Sequence, residues 1–410
     1  MDGDVMAPPL SGVRVLEVAN FIAGPFCAMQ LADLGADVVK IELPGVGDMV
    51  RGTAPFIEGE SSNFVRLNRN KRSLALDLKN DTGKELFRRL ADDADIVVEN
   101  LRPGAMTKLG LDYTRLCATN PSLIYVAASG WGQDGPYAQQ AGLDIMAQGM
   151  SGLMSITGEH GGAPVKVGVP VCDLACALYG ALAAVTALHA RTSTGRGQFI
   201  DVSLLEAGVS LAVWEAGRYF ATGEVPERQG TAHQTSAPYQ AVRAQDGHFT
   251  LGATSPATWA ALCHVLNLEQ LLADPAYADN RLRHRNREAL IARIEVVTET
   301  EPVGHWLTRL QRAGVPCGAI RGYDAVFNDE HLRQREFFPE VPHTRLGPVR
   351  QLASPMRLSD TPARLDRAGP LLGEHSIEIL TELGVSPAEI DELFAASVIA
   401  APDLRASNAF

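Results

Sequence analysis

A chain of 410 residues exceeds the size at which one hydrophobic core usually stops growing, so two domains are expected. Its 36 basic and 48 acidic side chains leave a net charge of −12, which argues against a general nucleic-acid or anionic-membrane binder but leaves room for a local basic pocket. Six scattered cysteines, Cys27, Cys117, Cys172, Cys176, Cys263 and Cys317, lack C-x-x-C spacing and support neither a metal site nor a disulfide framework.

The start, Met1 to Val5, is acidic and soon meets Pro8 and Pro9, without the basic and apolar regions of a secretory signal, so a cytoplasmic location is expected. From Val13 to Gly130, short β-branched runs alternate with helical stretches. Strands are expected over residues 13–18, 37–42, 73–78, 95–100 and 122–129, with helices over 26–34 and 81–93. Such alternation reads as a Rossmann-like parallel α/β sheet. The apolar run 174–188 is short of the roughly 20 residues that span a bilayer and is rich in Ala, which fits a core helix better than a membrane span. A strand over 198–204 and a helix from 205 to about 222 continue the layer.

Residues 224–234 are polar and contain Pro and Gly, the composition of a linker. Two short runs, 239–243 and 248–251, then flank Asp246 and Gly247, a hairpin signal, and helices are expected over 257–266, 286–297 and 303–313. The expected division is a first part of a large domain over 1–225, a smaller α+β domain over 226–325, and a linker with return to the large domain over 326–410. Within that last part, 339–357 reads as Pro-rich and extended, and 374–383 and 387–396 as short amphipathic helices.

Three features carry chemistry. Asp173 is the only charged residue between Lys166 and His189, and follows an extended stretch directly before the apolar run. It is either a helix N-cap or a nucleophile that the positive end of the helix would keep ionised. Gly130, Gly132 and Gly135 fit G-x-G-x-x-G after a strand, but Pro136 and Tyr137 follow at once, so a glycine turn whose N–H groups approach an anion fits better than a dinucleotide fingerprint. Arg66, Arg69, Lys71 and Arg72, with Arg51, Arg102 and Lys108 in neighbouring loops, are either solvated or gathered around a phosphate-bearing ligand off the strand ends. There is no H-E-x-x-H, P-loop lysine or G-x-S-x-G pattern. Cys172 and Cys176 read as small buried hydrophobes.

The motifs also fall in a telling order: Leu10-Ser11-Gly12-Val13-Arg14-Val15-Leu16, Ala23-Gly24-Pro25, Leu34-Gly35-Ala36-Asp37, Gly47-Asp48, Asn70-Lys71-Arg72-Ser73, Glu99-Asn100-Leu101-Arg102-Pro103-Gly104, Gly132-Gln133-Asp134-Gly135-Pro136 and Thr194-Gly195-Arg196-Gly197-Gln198. In this the chain resembles the family III CoA-transferases, the group that contains formyl-CoA transferase, carnitine CoA-transferase and the α-methylacyl-CoA racemases, over almost its full length. The resemblance implies that Asp173 attacks an acyl-CoA thioester in a ping-pong reaction and becomes an aspartyl-CoA thioester. With an ordinary pKa of about 3.9 it would stay charged at neutral pH unless burial raises it by several units.

The resemblance further implies that Asp144 orients Asp173 or serves as a structural hydrogen-bond partner, with Gly132 and Gln133 supporting the site. It assigns CoA binding to Phe21, Ile22 and Ala23, to Asn70, Lys71 and Arg72, to Asn100 and Leu101, and to Lys108. Leu43 departs from the family, standing where formyl-CoA transferase has an arginine. The glycine-rich loop of the oxalate-type enzymes is not recognisable, and residues 230–239 resemble those of relatives that use succinyl-CoA and dicarboxylates such as glutarate, where His233 and Tyr239 contact substrate or His233 is a solvated loop residue. Racemases of the family place a histidine before the second aspartate as the partner acid or base. Here that position is Leu143, which points to transfer over racemisation, with a non-catalytic CoA-binding protein as the third alternative. CoA is then a substrate, with no tightly bound cofactor, no metal and no nucleic-acid or membrane partner. The family fold implies an interlocked, ring-shaped homodimer.

Overall fold

The structure is a computed structural model that describes residues 7–402, so the acidic start from Met1 to Val5 lies outside the described residues. Two compact units are present: one takes in the chain through Leu153, Val167–Ala216 and Glu330 onward, the other Met154–Lys166 and Gly217–Asp329.

In the first unit the strands are β1 (Arg14–Val18), β2 (Asp37–Glu42), a small hairpin of β3 (Phe56–Ile57) and β4 (Glu60–Ser61), β5 (Arg72–Leu76), β6 (Ile96–Glu99), β7 (Ile124–Ser129) and β8 (Phe199–Ser203). The second unit holds β9 (Tyr239–Ala244), β10 (Gly247–Gly252) and β11 (Cys317–Ala319), and the chain returns through β12 (Glu340–His343), β13 (Gly347–Arg350) and β14 (Ile399–Ala400). The main sheet runs β14-β5-β2-β1-β6-β7-β8 and is parallel except for the antiparallel edge strand β14.

Each central strand is apolar almost throughout because both faces are covered, the signature of a buried parallel sheet. Alternate residues therefore go to different cores. From β7, Tyr125 and Ala127 join one cluster with Leu86, Phe87, Ile379, Leu380 and Leu393, while Ile124 and Val126 join another with Cys27, Leu31, Ala181 and Ala184. The first cluster is roofed by the helices Asp81–Asp92, Ser376–Glu382 and Pro387–Ala395, the second by Ala23–Asp33 and Val171–Thr194. Close helix packing on the second face depends on small residues: a Cβ added at Gly180 would stand 3.2 Å from the Cys27 sulfur.

The chain steps from β1 outward to β2 and β5, then crosses back to place β6 on the other side of β1. The helices that follow β1 and β6 therefore pack on opposite faces, leaving a crevice at the carboxyl ends of these strands, where open α/β sheets take their ligands.

Several expected elements differ in extent. The helix expected at 174–188 runs over Val171–Thr194, ending at Gly195 in the left-handed region (φ +67°). By length and composition it could cross a bilayer; here its alanine face is packed within the fold. The single helix expected from 205 is broken into Leu204–Ser210 and Val213–Thr222. The extended segment expected over 339–357 is in part the antiparallel hairpin β12–β13. In the second unit the hairpin around Asp246 and Gly247 is present and gains a third strand, β11, whose Cys-Gly-Ala sequence lacks the β-branched residues that would have revealed it. Its core joins Val242, Phe249 and Leu251 of the sheet to Trp259, Leu290 and Trp306 of the helices.

Candidate active site

Asp173 is the third residue of the Val171–Thr194 helix, whose cap position is Pro170. It is thus inside the first turn, which overturns the reading of Asp173 as the N-cap. The helix is instead capped by a carboxylate from elsewhere: Asp144 Oδ1 accepts the N–H groups of Cys172 (2.9 Å) and Asp173 (3.3 Å). Orphan N–H donors at a helix start favour such an anionic acceptor. Asp144 opens the Asp144–Met150 helix, and its Oδ2 accepts from Gln148 Nε2 at 2.6 Å.

Burial pushes the Asp173 carboxyl up from 3.8 to about 7, with the Asp144 charge adding to the rise. Burial thus meets the condition under which the group would not stay fully charged, and near neutral pH it is poised between its two forms. Thiols nearby are no rivals, because burial pushes Cys172 to about 11 and Cys27 to about 12, leaving them neutral. One apolar cluster gathers Ala23 from the start of the helix after β1, Trp131 from the loop after β7, and Cys172 and Cys176 from the Asp173 helix, so three separate segments of the sequence meet here.

The glycine turn after β7 is present, with Gly132 at φ +95°. Its amides are not free: Gly132 N–H donates to Ser129 Oγ (2.9 Å) and Gln133 N–H to Asp201 Oδ2 (2.8 Å). Both N–H groups are taken by side chains of the protein itself, which corrects the expectation that they face a ligand's anion.

At the switch point, the loops after β1 and β6 are tied by a reciprocal amide clamp. Asn20 N–H donates to Asn100 Oδ1 (2.8 Å), and Asn100 Nδ2 donates to the Asn20 carbonyl (2.7 Å). Phe21, at φ +60°, donates its N–H to Asp48 Oδ1 (3.1 Å), and Leu101 N–H is taken by Glu99 Oε2 (2.7 Å). Beneath them lies a buried ionic cluster. Lys40 Nζ reaches Glu17 Oε1 (2.5 Å), Asp48 Oδ2 (2.8 Å) and the Ala19 carbonyl (2.9 Å). Lys71 Nζ reaches Glu17 Oε2 (2.6 Å), Asn68 Oδ1 (2.8 Å) and the Pro25 carbonyl (2.8 Å).

The three residues Asn70, Lys71 and Arg72 are consequently engaged inside the fold. Lys71 is fully buried, and burial lowers its pKa to about 8. Arg72 pairs with Asp37, Glu378 and Glu382, and Asn70 bonds Asp33 and the 364–367 backbone. Sequence clustering of cations suggested a phosphate loop, but cations next to a strand can equally point into the carboxylates of neighbouring strands, and these do.

A cleft of about 340 Å³ opens above the carboxyl ends of β1, β2 and β5, bordered by Asn20, Leu43, Met49, Leu76, Lys79 and Leu101. Lys79 was missed in the sequence; its one signal was its place just past a strand end. Lys108 is exposed in the last turn of the short helix Ala105–Leu109. His233 and Tyr239 belong to the second unit, where His233 N–H donates to the Tyr239 carbonyl (3.0 Å) and the rings meet edge to face at 4.9 Å.

A doubly wound α/β unit with a cleft over its switch point, and a half-buried carboxylate at a helix start, is the build of an enzyme that handles a nucleotide-bearing ligand. The comparisons make that class specific. The sequence profile of CoA-transferase family III matches residues 10–376. The chain is 37% identical to the succinyl-CoA:glutarate CoA-transferase of Mus musculus, over 95% of this chain and 90% of that protein. It is 38% identical to the succinyl-CoA:mesaconate CoA-transferase of Haloarcula marismortui, over 92% and 96% of the two chains. A CAIB/BAIF family protein from Brucella suis superposes with a TM-score of 0.83 at 38% identity, covering 92% of this chain and 100% of that one. The chain belongs to CoA-transferase family III, and it is a CoA-transferase.

Proposed function

We propose that this enzyme moves CoA from succinyl-CoA to a dicarboxylic acid, with Asp173 as the nucleophile. The observation that carries the reading is the Asp173 carboxylate itself: half-buried, destabilised by its surroundings, and held by its backbone at a helix start. A carboxylate whose pKa is raised is a stronger nucleophile once ionised. The relatives named for succinyl-CoA and a dicarboxylate supply the substrate class.

In the first half-reaction an Asp173 oxygen attacks the thioester carbonyl, the C–S bond breaks, and a mixed anhydride and CoA thiolate form. The thiolate attacks the aspartyl carbonyl, and the donor acid leaves with the electron pair of the broken C–O bond. The acceptor carboxylate then attacks the aspartyl thioester and releases the thiolate. Its attack on the acceptor carbonyl regenerates Asp173 and yields the new acyl-CoA. No net proton or electron is exchanged.

The nucleotide end of CoA is assigned to the switch-point cleft, which Asn20, Leu101 and Lys79 line. Asn100, clamped to Asn20, and the loop of Phe21, Ile22 and Ala23 are assigned to CoA contact beside it, with Lys79 and Lys108 offering cations to phosphates. Asn70, Lys71 and Arg72 serve by bracing that loop through the buried cluster. His233 and Tyr239 are assigned to acceptor contact. Leu143 cannot exchange a proton, which weighs against racemisation. The enzyme is taken to act in the cytoplasm as an interlocked homodimer. The exposed apolar residues Leu178, Tyr179 and Leu182 on the Asp173 helix are suited to burial in it.

Incubation with succinyl-CoA followed by hydroxylamine or borohydride should trap an adduct on Asp173, and Asp173→Asn should abolish transfer in a folded dimer. Deuterium wash-in at an α-carbon without any adduct would replace transfer by racemisation.

A further inference from the structure

We propose that Gln148 is a positioning residue for the transfer reaction, locking Asp144 in the orientation that holds the backbone of Asp173. The inference rests on Asp173 being the nucleophile. Gln148 follows Asp144 by four residues in the Asp144–Met150 helix, so the two side chains share a face. Its side chain is wholly buried. Its Oε1 accepts the N–H of Val167 at 2.8 Å, which fixes which way the amide faces. Its Nε2 then points at Asp144 Oδ2, 2.6 Å away, with the Val169 carbonyl at 3.4 Å.

One side chain thereby joins three stretches: the Asp144 helix, the 167–169 strap that leads to the Pro170 cap, and, through Asp144, the N–H groups of Cys172 and Asp173. With Oδ2 held by Gln148, Oδ1 is left for the helix start. An amide does this at any pH, because it offers both the acceptor that Val167 needs and the donor that Asp144 needs. A carboxylate in its place would set a second anion beside Asp144, and an aliphatic side chain would leave Oδ2 unpartnered. The other titratable groups around Asp173 are Cys172 and Cys176 on its own helix, with Cys27 on Ala23–Asp33 and Asp201 on β8 reaching Cys176.

The test uses the full-length enzyme with succinyl-CoA and a dicarboxylate acceptor. Gln148→Glu keeps the acceptor toward Val167 and loses the donor once ionised. Its kcat should fall about 100-fold at pH 8, the loss expected for a misplaced reacting group, with KM for the acyl-CoA little changed. The ratio of variant to wild-type kcat should climb as pH falls, because the protonated carboxyl again donates to Asp144. Asp144→Asn combined with Gln148→Glu exchanges donor and acceptor and should recover at least about tenfold over the Gln148→Glu variant alone, a coupling that independent sites do not show. A variant-to-wild-type ratio flat from pH 6 to 9, or an exchange variant no better than the worse single one, overturns the proposal. Should Gln148→Glu not fold, Gln148→Met serves: kcat lowered at unchanged KM supports positioning, and wild-type kcat refutes it. The two readings fail separately. Transfer surviving in Asp173→Asn removes the nucleophile assignment, whereas an Asp173 adduct formed at the wild-type rate in Gln148→Glu removes only the role of Gln148.

Discussion

Replacing Asp173 by Asn should stabilise the fold, and by an amount that grows with pH. The carboxyl is raised from 3.8 to about 7, chiefly by burial and then by Asp144. Between those two pH values the native protein holds a proton that the unfolded chain has released, so the wild type loses stability as pH rises across the window. Below about pH 4 both states are protonated and the penalty vanishes; above about pH 7 it is complete. At 1.36 kcal/mol per pKa unit the shift sets a ceiling of about 4 kcal/mol, and partial access of water to the half-buried group trims the expected value to roughly 2 kcal/mol. Asparagine keeps the shape without the charge. Urea unfolding of both proteins at pH 4, 5, 6, 7 and 8, at one protein concentration because association adds to stability, would give the difference directly. A difference that stays constant across the series would refute the reasoning, since it would mean that Asp173 titrates alike in the folded and unfolded chain.

Other outcomes follow from the same geometry. The acid limb of kcat/KM should have its midpoint near pH 7, and Asp144→Asn, which removes a charge that raises Asp173, should move that limb to lower pH in a pH–rate profile. Lys79→Ala should raise KM for acyl-CoA several-fold with kcat unchanged if it meets a phosphate; an unaltered KM would return Lys79 to the solvated surface. Lys40→Met leaves Glu17 and Asp48 buried without their shared cation and should cost about 3–5 kcal/mol in denaturant unfolding. Gly197→Ala should be worse tolerated than Gly195→Ala by thermal melting, because the added Cβ at 197 would lie 1.9 Å from the Leu123 carbonyl oxygen, whereas at 195 it meets open space and only the φ of +67° resists it.

What the sequence made legible was whatever is repeated along the chain or fixed by local chemistry. The β-branched runs that become β1, β2, β6 and β7 stand out because both faces of the sheet are buried, and the Asp246–Gly247 turn stands out because few residues make a tight hairpin. Asp173 was conspicuous as a lone charge, and the family motifs gave its neighbour Asp144. The division of labour between them was not visible: that Asp144 caps the helix depends on two segments 29 residues apart in sequence meeting in space. The same holds for Lys71 and Arg72, whose acidic partners Glu17, Asp37 and Glu378 lie on other elements. Basic residues in a row announce their charge but not the direction in which they point. Lys79 failed the opposite way, being too ordinary to notice until the sheet order placed it at the rim of a cleft.

The first unit is interrupted in sequence, leaving at Ala216 and resuming at Glu330, and one face of its sheet is roofed by Ile379, Leu380, Ile390 and Leu393. During synthesis that face waits for the part of its roof that begins at Ser376 while about 160 residues after Ala216 are made, on the order of 8–32 s at cellular rates of elongation. Until then the Asp81–Asp92 helix covers only part of that face, and the remaining apolar surface is open to other chains. Truncation before Ser376 removes two of the three helices that cover this face rather than a dispensable tail.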